Sequence, residues 1–219
     1  MTDASDTDTE MNDRDSETND SAPDPTDFRD RDPEVRARAL QSLLTEKGLL
    51  SADAVDDVIA THEEEIGPLT GATVVARAWT DPEFKDRLLD DGIAAVAELD
   101  VEVNDEVMEL RVVENTPDVH NLVVCTLCSC YPWAVLGLPP TWYKTPAYRS
   151  RAVDEPRALL REEFDTDLPE DVEVNVWDSN SEIRYVVLPQ RPPGTEGMSE
   201  TELRDLVTRN AMIGVERLA

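Results

Sequence analysis

Apolar positions first recur at helical spacing at Val35, Leu40, Leu43 and Leu44. Pro33 suits a first helical turn and Gly48 a stop, so the pattern predicts a helix between them. Ser51 reads as the N-cap of a second helix carrying Val55, Val58 and Ile59 on one face. Gly67-Pro68 interrupts that pattern. A third helical stretch covers about residues 72–79, and Thr80-Asp81-Pro82-Glu83 opens a fourth through Phe84, Leu88 and Leu89.

The period then changes. Residues 107–113 and 121–124 are short β-branched runs that predict strands. Residues 172–177 and 184–188 are two more, separated by the turn-like Asp178-Ser179-Asn180. A last helix is expected from Ser199, where Ser199 and Glu202 fit a capping box. No internal repeat is present. The class is α+β: a helical N-terminal arm (residues 33–69), then a mixed α/β domain (70–219). Residues 1–32 are Asp, Thr, Ser, Asn and Pro with almost nothing apolar. Such a segment buries too little surface to offset its ordering entropy, so a disordered acidic tail is expected.

Charge sharpens this picture. The chain holds 49 acidic residues against 20 basic ones, a net of −29. Residues 1–32 contribute −9 of it, so the remaining 187 residues still carry −20. Such a body repels phosphate backbones and anionic lipid, which argues against nucleic-acid and membrane partners. No apolar run approaches the roughly 20 residues of a membrane span. The basic start and apolar core of a signal peptide are absent from the first 32 residues. A cytoplasmic location is therefore expected. Only Lys47, Lys85 and Lys144 are lysines. An acid-rich, lysine-poor composition resembles that of halophilic proteins, whose self-repulsion concentrated salt screens.

One window departs from this acidity. Residues 119–153 contain no Asp or Glu, yet hold all three cysteines and five of the 11 aromatics: Tyr131, Trp133, Trp142, Tyr143 and Tyr148. Lys144, Arg149 and Arg151 also lie there. Depletion of acids with enrichment of aromatics and Arg marks either core or a surface covered by a partner.

The cysteines Cys125, Cys128 and Cys130 fall within six residues. Three cysteines are too few for a disulfide scaffold. Cys125-x-x-Cys128 fits a thiol–disulfide redox pair, but leaves Cys130 without a role. A structural zinc site needs a fourth ligand, which only His62 or His120 would supply among the histidines. Three inert buried thiols are a third reading.

The fourth is a transition-metal claw. A metal held by Cys128 and Cys130 also lies against the peptide nitrogens of Ser129 and Cys130, and Cys125 reaches it from below. That makes five ligands and leaves one position open. Peptide nitrogens bind only when ionised, which calls for a strongly Lewis-acidic trivalent cobalt or iron. Such a cluster carries a net charge near −2 and needs cations, either Arg149 and Arg151 or groups from another chain.

The segment Val124-Cys125-Thr126-Leu127-Cys128-Ser129-Cys130-Tyr131 resembles the metal-binding loop of nitrile hydratase alpha subunits. The likeness extends upstream through Val112-Val113-Glu114-Asn115-Thr116-Pro117 and Val119-His120-Asn121. Downstream it runs through Tyr131-Pro132-Trp133, Leu136-Gly137-Leu138-Pro139-Pro140, Trp142-Tyr143-Lys144 and Tyr148-Arg149-Ser150-Arg151. Val176-Trp177-Asp178-Ser179, Glu182-Ile183-Arg184-Tyr185, Leu188-Pro189, Gly194-Thr195-Glu196-Gly197 and Leu206-Val207-Thr208-Arg209 continue it.

The resemblance implies an enzyme that hydrates nitriles to amides, with one Co(III) per alpha chain and Fe(III) as the alternative. It implies metal ligands Cys125, Cys128, Ser129 and Cys130, with Cys128 oxidised to sulfinic and Cys130 to sulfenic acid. Cys128 and Cys130 would be the catalytic groups. Thr126, where the iron type usually has serine, resembles the cobalt type. Asp178 and Glu182 match acids that support the site, and Trp133 a residue near the substrate. A beta subunit would supply two arginines, commonly in an α2β2 heterotetramer. Thiocyanate hydrolase shares fold and loop and is the nearest alternative; a non-catalytic metal or redox protein is the alternative of another class.

Overall fold

The computed structural model describes residues 33–51, 53–54, 68–101 and 108–218, in two units, 1–52 and 53–219. The acidic tail, the second-helix positions Val55, Val58 and Ile59, and His62 lie outside the described residues.

In the first unit, α1 spans Pro33–Glu46. It ends at Gly48, whose φ of 67° a side-chain-bearing residue adopts only with strain. Its apolar residues Val35, Leu40 and Leu43 are exposed.

The second unit opens with three helices. Pro68 begins α2 (Pro68–Thr80), so the Gly-Pro break is this helix's first turn. Asp81 caps α3 (Pro82–Asp90), accepting from the Phe84 N–H at 3.0 Å, and Asp91 does the same for α4 (Gly92–Ala97) through Ala94. Phe84 and Leu88, four apart, point into the core.

Four strands follow: β1 (Glu109–Glu114), β2 (Val119–Val124), β3 (Glu173–Asp178) and β4 (Ile183–Leu188). Both pairings are parallel, and one joins the first strand to the last. β1 runs parallel to β4, with Glu109 opposite Ile183, and β2 runs parallel to β3, with Val124 opposite Asp178. Two-stranded sheets are marginal alone. Helices buttress these: α4 and α3 pack on β1, and β2 is buried from His120 to Val124.

Between β2 and β3 lie α5 (Trp133–Leu136), a 3₁₀ turn (Thr141–Lys144), α6 (Pro146–Asp154) and α7 (Pro156–Phe164). The apolar pattern does not announce α6 or α7. Only Tyr148 and Ala152 of α6 are buried, so it carries almost no stripe. Its start is written in capping instead: Thr145 accepts from the Tyr148 N–H, with Pro146 in the first turn.

Two short helices close the chain. Ser199 and Glu202 form the expected capping box at the start of α8 (Glu200–Arg204), and α9 spans Arg209–Ile213. Gly214 ends α9 with φ 89°, and a Cβ there would lie 1.9 Å from the Asn121 carbonyl oxygen. This close approach presses α9 onto β2. It also lets the Gly214 carbonyl meet His120 Nε2 at 2.8 Å. Asn115, within 3.4 Å of His120 Nδ1, accepts from the Asn121 backbone N–H at 2.7 Å. Asn121 Oδ1 in turn accepts from Trp177 Nε1 at 2.8 Å. The buried polar side chains of β2, His120 and Asn121, are thereby paired.

Candidate metal centre

The cysteine loop leaves the carboxyl end of β2, opposite Asp178 at the end of β3. Cys125 is fully buried at the strand's exit, Cys130 half-buried and Cys128 exposed. The chain doubles back so that the three sulfur atoms all lie within 4.8 Å of one another. Cys128 Sγ stands 3.4 Å from Cys125 Sγ and 2.9 Å from Cys130 Sγ.

Three contacts shape this bend. The Cys128 N–H donates to Cys125 Sγ at 3.3 Å. Asp178 accepts from both the Thr126 backbone N–H (2.9 Å) and its hydroxyl (2.5 Å). Tyr143 donates its hydroxyl to the Cys130 carbonyl at 3.1 Å.

Aromatic packing forms the floor. Tyr131 meets Tyr143 edge-on at 5.1 Å, and Trp142 meets Tyr148 and Phe164 at 4.8 Å each. Tyr148 donates to the Val123 carbonyl at 2.6 Å. Much of the acid-free window is therefore core. Its rim is not: Leu127 is 85% and Trp133 46% exposed.

The electrostatics suit a cation. Contacts from the Cys130 and Cys125 thiols, reinforced by the Ser129 and Cys130 N–H groups, pull the Cys128 thiol down to about 7. Burial pushes Cys130 up to about 12, and its contact with Cys128 adds to that, while the Arg184 charge pulls the other way. The two thiols titrate as a pair, Cys128 first. Three soft sulfurs with two backbone nitrogens turned toward them form a donor set for a thiophilic transition metal.

The other readings fare differently. His120 is held between Asn115 and Gly214, so it is not the fourth ligand of a zinc site. Among the described residues no histidine joins the three cysteines. Arg151, one of the two arginines offered as alternatives to cations from another chain, is held instead by three carboxylates, Glu155 at 2.5 Å, Glu163 at 2.6 Å and Glu162 at 2.7 Å.

The family model for the nitrile hydratase alpha chain matches residues 31–216. The chain belongs to the nitrile hydratase alpha-chain family. It is 58% identical to the cobalt-containing nitrile hydratase subunit alpha of Pseudonocardia thermophila, over 83% of this chain and 89% of the relative. A solved double mutant of the Fe-type nitrile hydratase from Comamonas testosteroni Ni1 superimposes with a TM-score of 0.77 at 42% identity, over 86% of this chain and 92% of that one. Thiocyanate hydrolase subunit gamma of Thiobacillus thioparus is more distant, 41% identical over 84% of this chain and 79% of its own length.

The remaining residues singled out from the nitrile hydratase resemblance stand at different distances from the loop. Asp178 touches it directly through Thr126. Ser129 sits within it, half-buried. Trp133 opens α5 three residues beyond Cys130. Glu182 is exposed, and its bonds are those of its backbone: its N–H reaches Asn180 Oδ1 at 2.8 Å, and its carbonyl accepts from Glu109. Arg184, whose charge reaches Cys130, is a group that reading for cations within the acid-free window misses. Its position inside the Glu182-Ile183-Arg184-Tyr185 motif was the available signal.

Cavities lie elsewhere. One of about 270 Å³ and another of about 290 Å³ flank Thr116-Pro117 and Gln190-Arg191, and neither is lined by a cysteine.

Proposed function

We propose that the chain is the metal-carrying alpha subunit of a cobalt nitrile hydratase, converting R–C≡N and water to the amide together with a beta subunit. The observation that carries this reading is the sulfur cluster on a loop whose amides face it. The high identity to a cobalt-containing relative supports the metal. Cys125, Cys128 and Cys130 would hold the ion by sulfur, and Ser129 and Cys130 by their backbone nitrogens. When bound, trivalent cobalt supplies a Lewis acid with a position free for the nitrile.

The chain's own residues do the rest. Cys128, exposed and more readily ionised than Cys130, would carry two added oxygens, and half-buried Cys130 one. Cys130 then presents an oxygen at the edge of the cluster, where it serves as nucleophile or holds the attacking water. Asp178 fixes the loop through Thr126, so the sulfurs keep their spacing as substrate exchanges. Trp133, on the rim, would contact the nitrile's side group. Glu182 would act from further out. Residues 70–219 would form the catalytic domain and residues 33–69 an arm.

The cysteines line neither of the two cavities flanking Gln190-Arg191, so a second chain would complete the substrate pocket. The exposed rim at Leu127 and Trp133 fits such a cover, in an α2β2 assembly. The large acid excess is read as adaptation to concentrated salt.

Co-expression with a nitrile hydratase beta subunit tests the reading. About one cobalt per alpha chain, amide formed from a nitrile, and added mass on Cys128 and Cys130 but not Cys125 are expected. Zinc on three unmodified thiols would overturn it. Carbonyl sulfide release from thiocyanate without nitrile hydration would favour thiocyanate hydrolase instead. Bound cobalt with neither reaction would point to a non-catalytic metal protein.

A further inference from the structure

We infer that the paired cavities at the carboxyl ends of β1 and β4 bind a small organic carboxylate, with Arg191 as its anchor. The site is separate from the metal centre, since no cysteine lines either cavity.

Strand topology places it. The cysteine loop leaves the carboxyl end of the β2–β3 pair. β1 and β4 are the other parallel pair, and their last residues, Glu114 and Leu188, lie opposite each other. Beyond the shared carboxyl ends of parallel strands the chains diverge, and the crevice between them is where ligands commonly bind. The two cavities, of about 270 and 290 Å³, occupy that crevice and share residues 115–117 and 189–191 in their walls.

The walls favour an anion, in a chain whose net charge is −29. Arg191 lines both cavities and is held by neutral oxygens. Its Nε donates to the Thr195 hydroxyl at 2.9 Å, and its terminal nitrogens to the Trp79 carbonyl at 3.2 Å and the Thr195 carbonyl at 2.6 Å. These bonds leave one N–H over on each terminal nitrogen. Neither Arg191 nor Arg217, in the wall of the first cavity, enters an ion pair among the described residues. Glu216 is the only acid lining that cavity, and its carboxylate accepts from the Thr208 hydroxyl at 2.6 Å. His120, held below its ordinary pKa of 6.5 chiefly by burial, adds no charge at neutral pH. In the second cavity Lys85 and Glu114 offset each other at 3.0 Å, which again leaves Arg191 in surplus.

The first cavity also suits an organic tail. Leu168, buried Val172 and Leu218 line it beside the arginines. A carboxylate on the leftover Arg191 donors would lay a short aliphatic or aromatic group against them. The planar guanidinium matches a carboxylate better than an ammonium does. Its three bonds to Thr195 and Trp79 fix it beforehand, so binding costs little ordering.

The test uses the co-expressed alpha–beta complex, with sodium benzoate replacing sodium chloride at fixed ionic strength. Titration calorimetry should give a dissociation constant on the order of 1 mM. The melting temperature should rise with benzoate concentration. Arg191→Met is expected to weaken binding about 10- to 100-fold. Arg217→Glu, at an exposed position, should weaken it about 10-fold. Should Arg191→Met not assemble, Arg217→Glu carries the comparison. Benzyl alcohol, the neutral analogue, should bind far more weakly. Neither heat nor thermal shift with the wild-type complex overturns the inference. So does binding that the substitutions leave unchanged, because benzoate then sits elsewhere, the metal centre included. Equal affinity for benzyl alcohol overturns it as well, marking an apolar cavity with no preference for anions.

Discussion

Asp178 grips Thr126 at two points, accepting from its backbone N–H at 2.9 Å and its hydroxyl at 2.5 Å. Because Asp178 ends β3 and Val124 lies opposite it on β2, the clamp fastens the first turn of the cysteine loop to the sheet. The metal site is therefore held from outside its ligands.

Breaking that clamp should loosen the metal more than the fold. The pair is solvent-exposed, so Asp178→Asn is expected to cost only about 1 kcal/mol of stability. Cobalt affinity should fall about 10- to 100-fold, read by chelator competition. Thr126→Val should do much the same, and the double variant should add little to either.

The three cysteines should differ when replaced. Cys128→Ala or Cys130→Ala is expected to abolish nitrile hydration and most cobalt retention. Cys125→Ala should do so too, with added destabilisation of the apoprotein, because its buried side chain packs at the end of β2. Activity, bound cobalt and a melting curve separate these outcomes.

Two tyrosines beneath the loop make opposite predictions. Tyr148→Phe removes a buried hydroxyl from the Val123 carbonyl and should cost about 1–3 kcal/mol, with cobalt content unchanged. Tyr143→Phe frees the Cys130 carbonyl and should raise the cobalt release rate. Denaturant unfolding and metal release measured together distinguish them.

His120 sets a pH dependence. Burial, partly offset by its bond to Gly214, holds its pKa below the ordinary 6.5. The unfolded chain therefore takes up a proton near pH 6.5 that the folded chain refuses. Stability contributed by the neutral ring is present above that pH and is lost as the pH falls toward the folded-state pKa. The slope reaches at most about 1.4 kcal/mol per pH unit. His120→Gln should flatten this part of the curve between pH 7.5 and about 5.5 in denaturant titrations.

Legibility in the sequence divided along physical lines. The strands were visible because short runs rich in β-branched residues, such as Val123-Val124 and Val186-Val187, are local signals. Their parallel pairing was not, since Val124 meets Asp178 and Glu109 meets Ile183 only through long-range packing. Helix α8 declared itself through Ser199 and Glu202, whereas α6 buries too few residues to leave a stripe. The metal loop was legible because its ligands are contiguous in sequence. The ion cluster at Arg151 was not: Glu162 and Glu163 reach it from the next helix, a contact that sequence spacing alone does not reveal.

Cobalt K-edge X-ray absorption on the alpha–beta complex tests the central claim most directly. The account predicts one low-spin trivalent cobalt with three sulfur and two nitrogen neighbours, the sulfur shell shrinking when Cys128 or Cys130 is replaced. A spectrum of cobalt ringed by oxygen or histidine nitrogen, unchanged by those replacements, would contradict it.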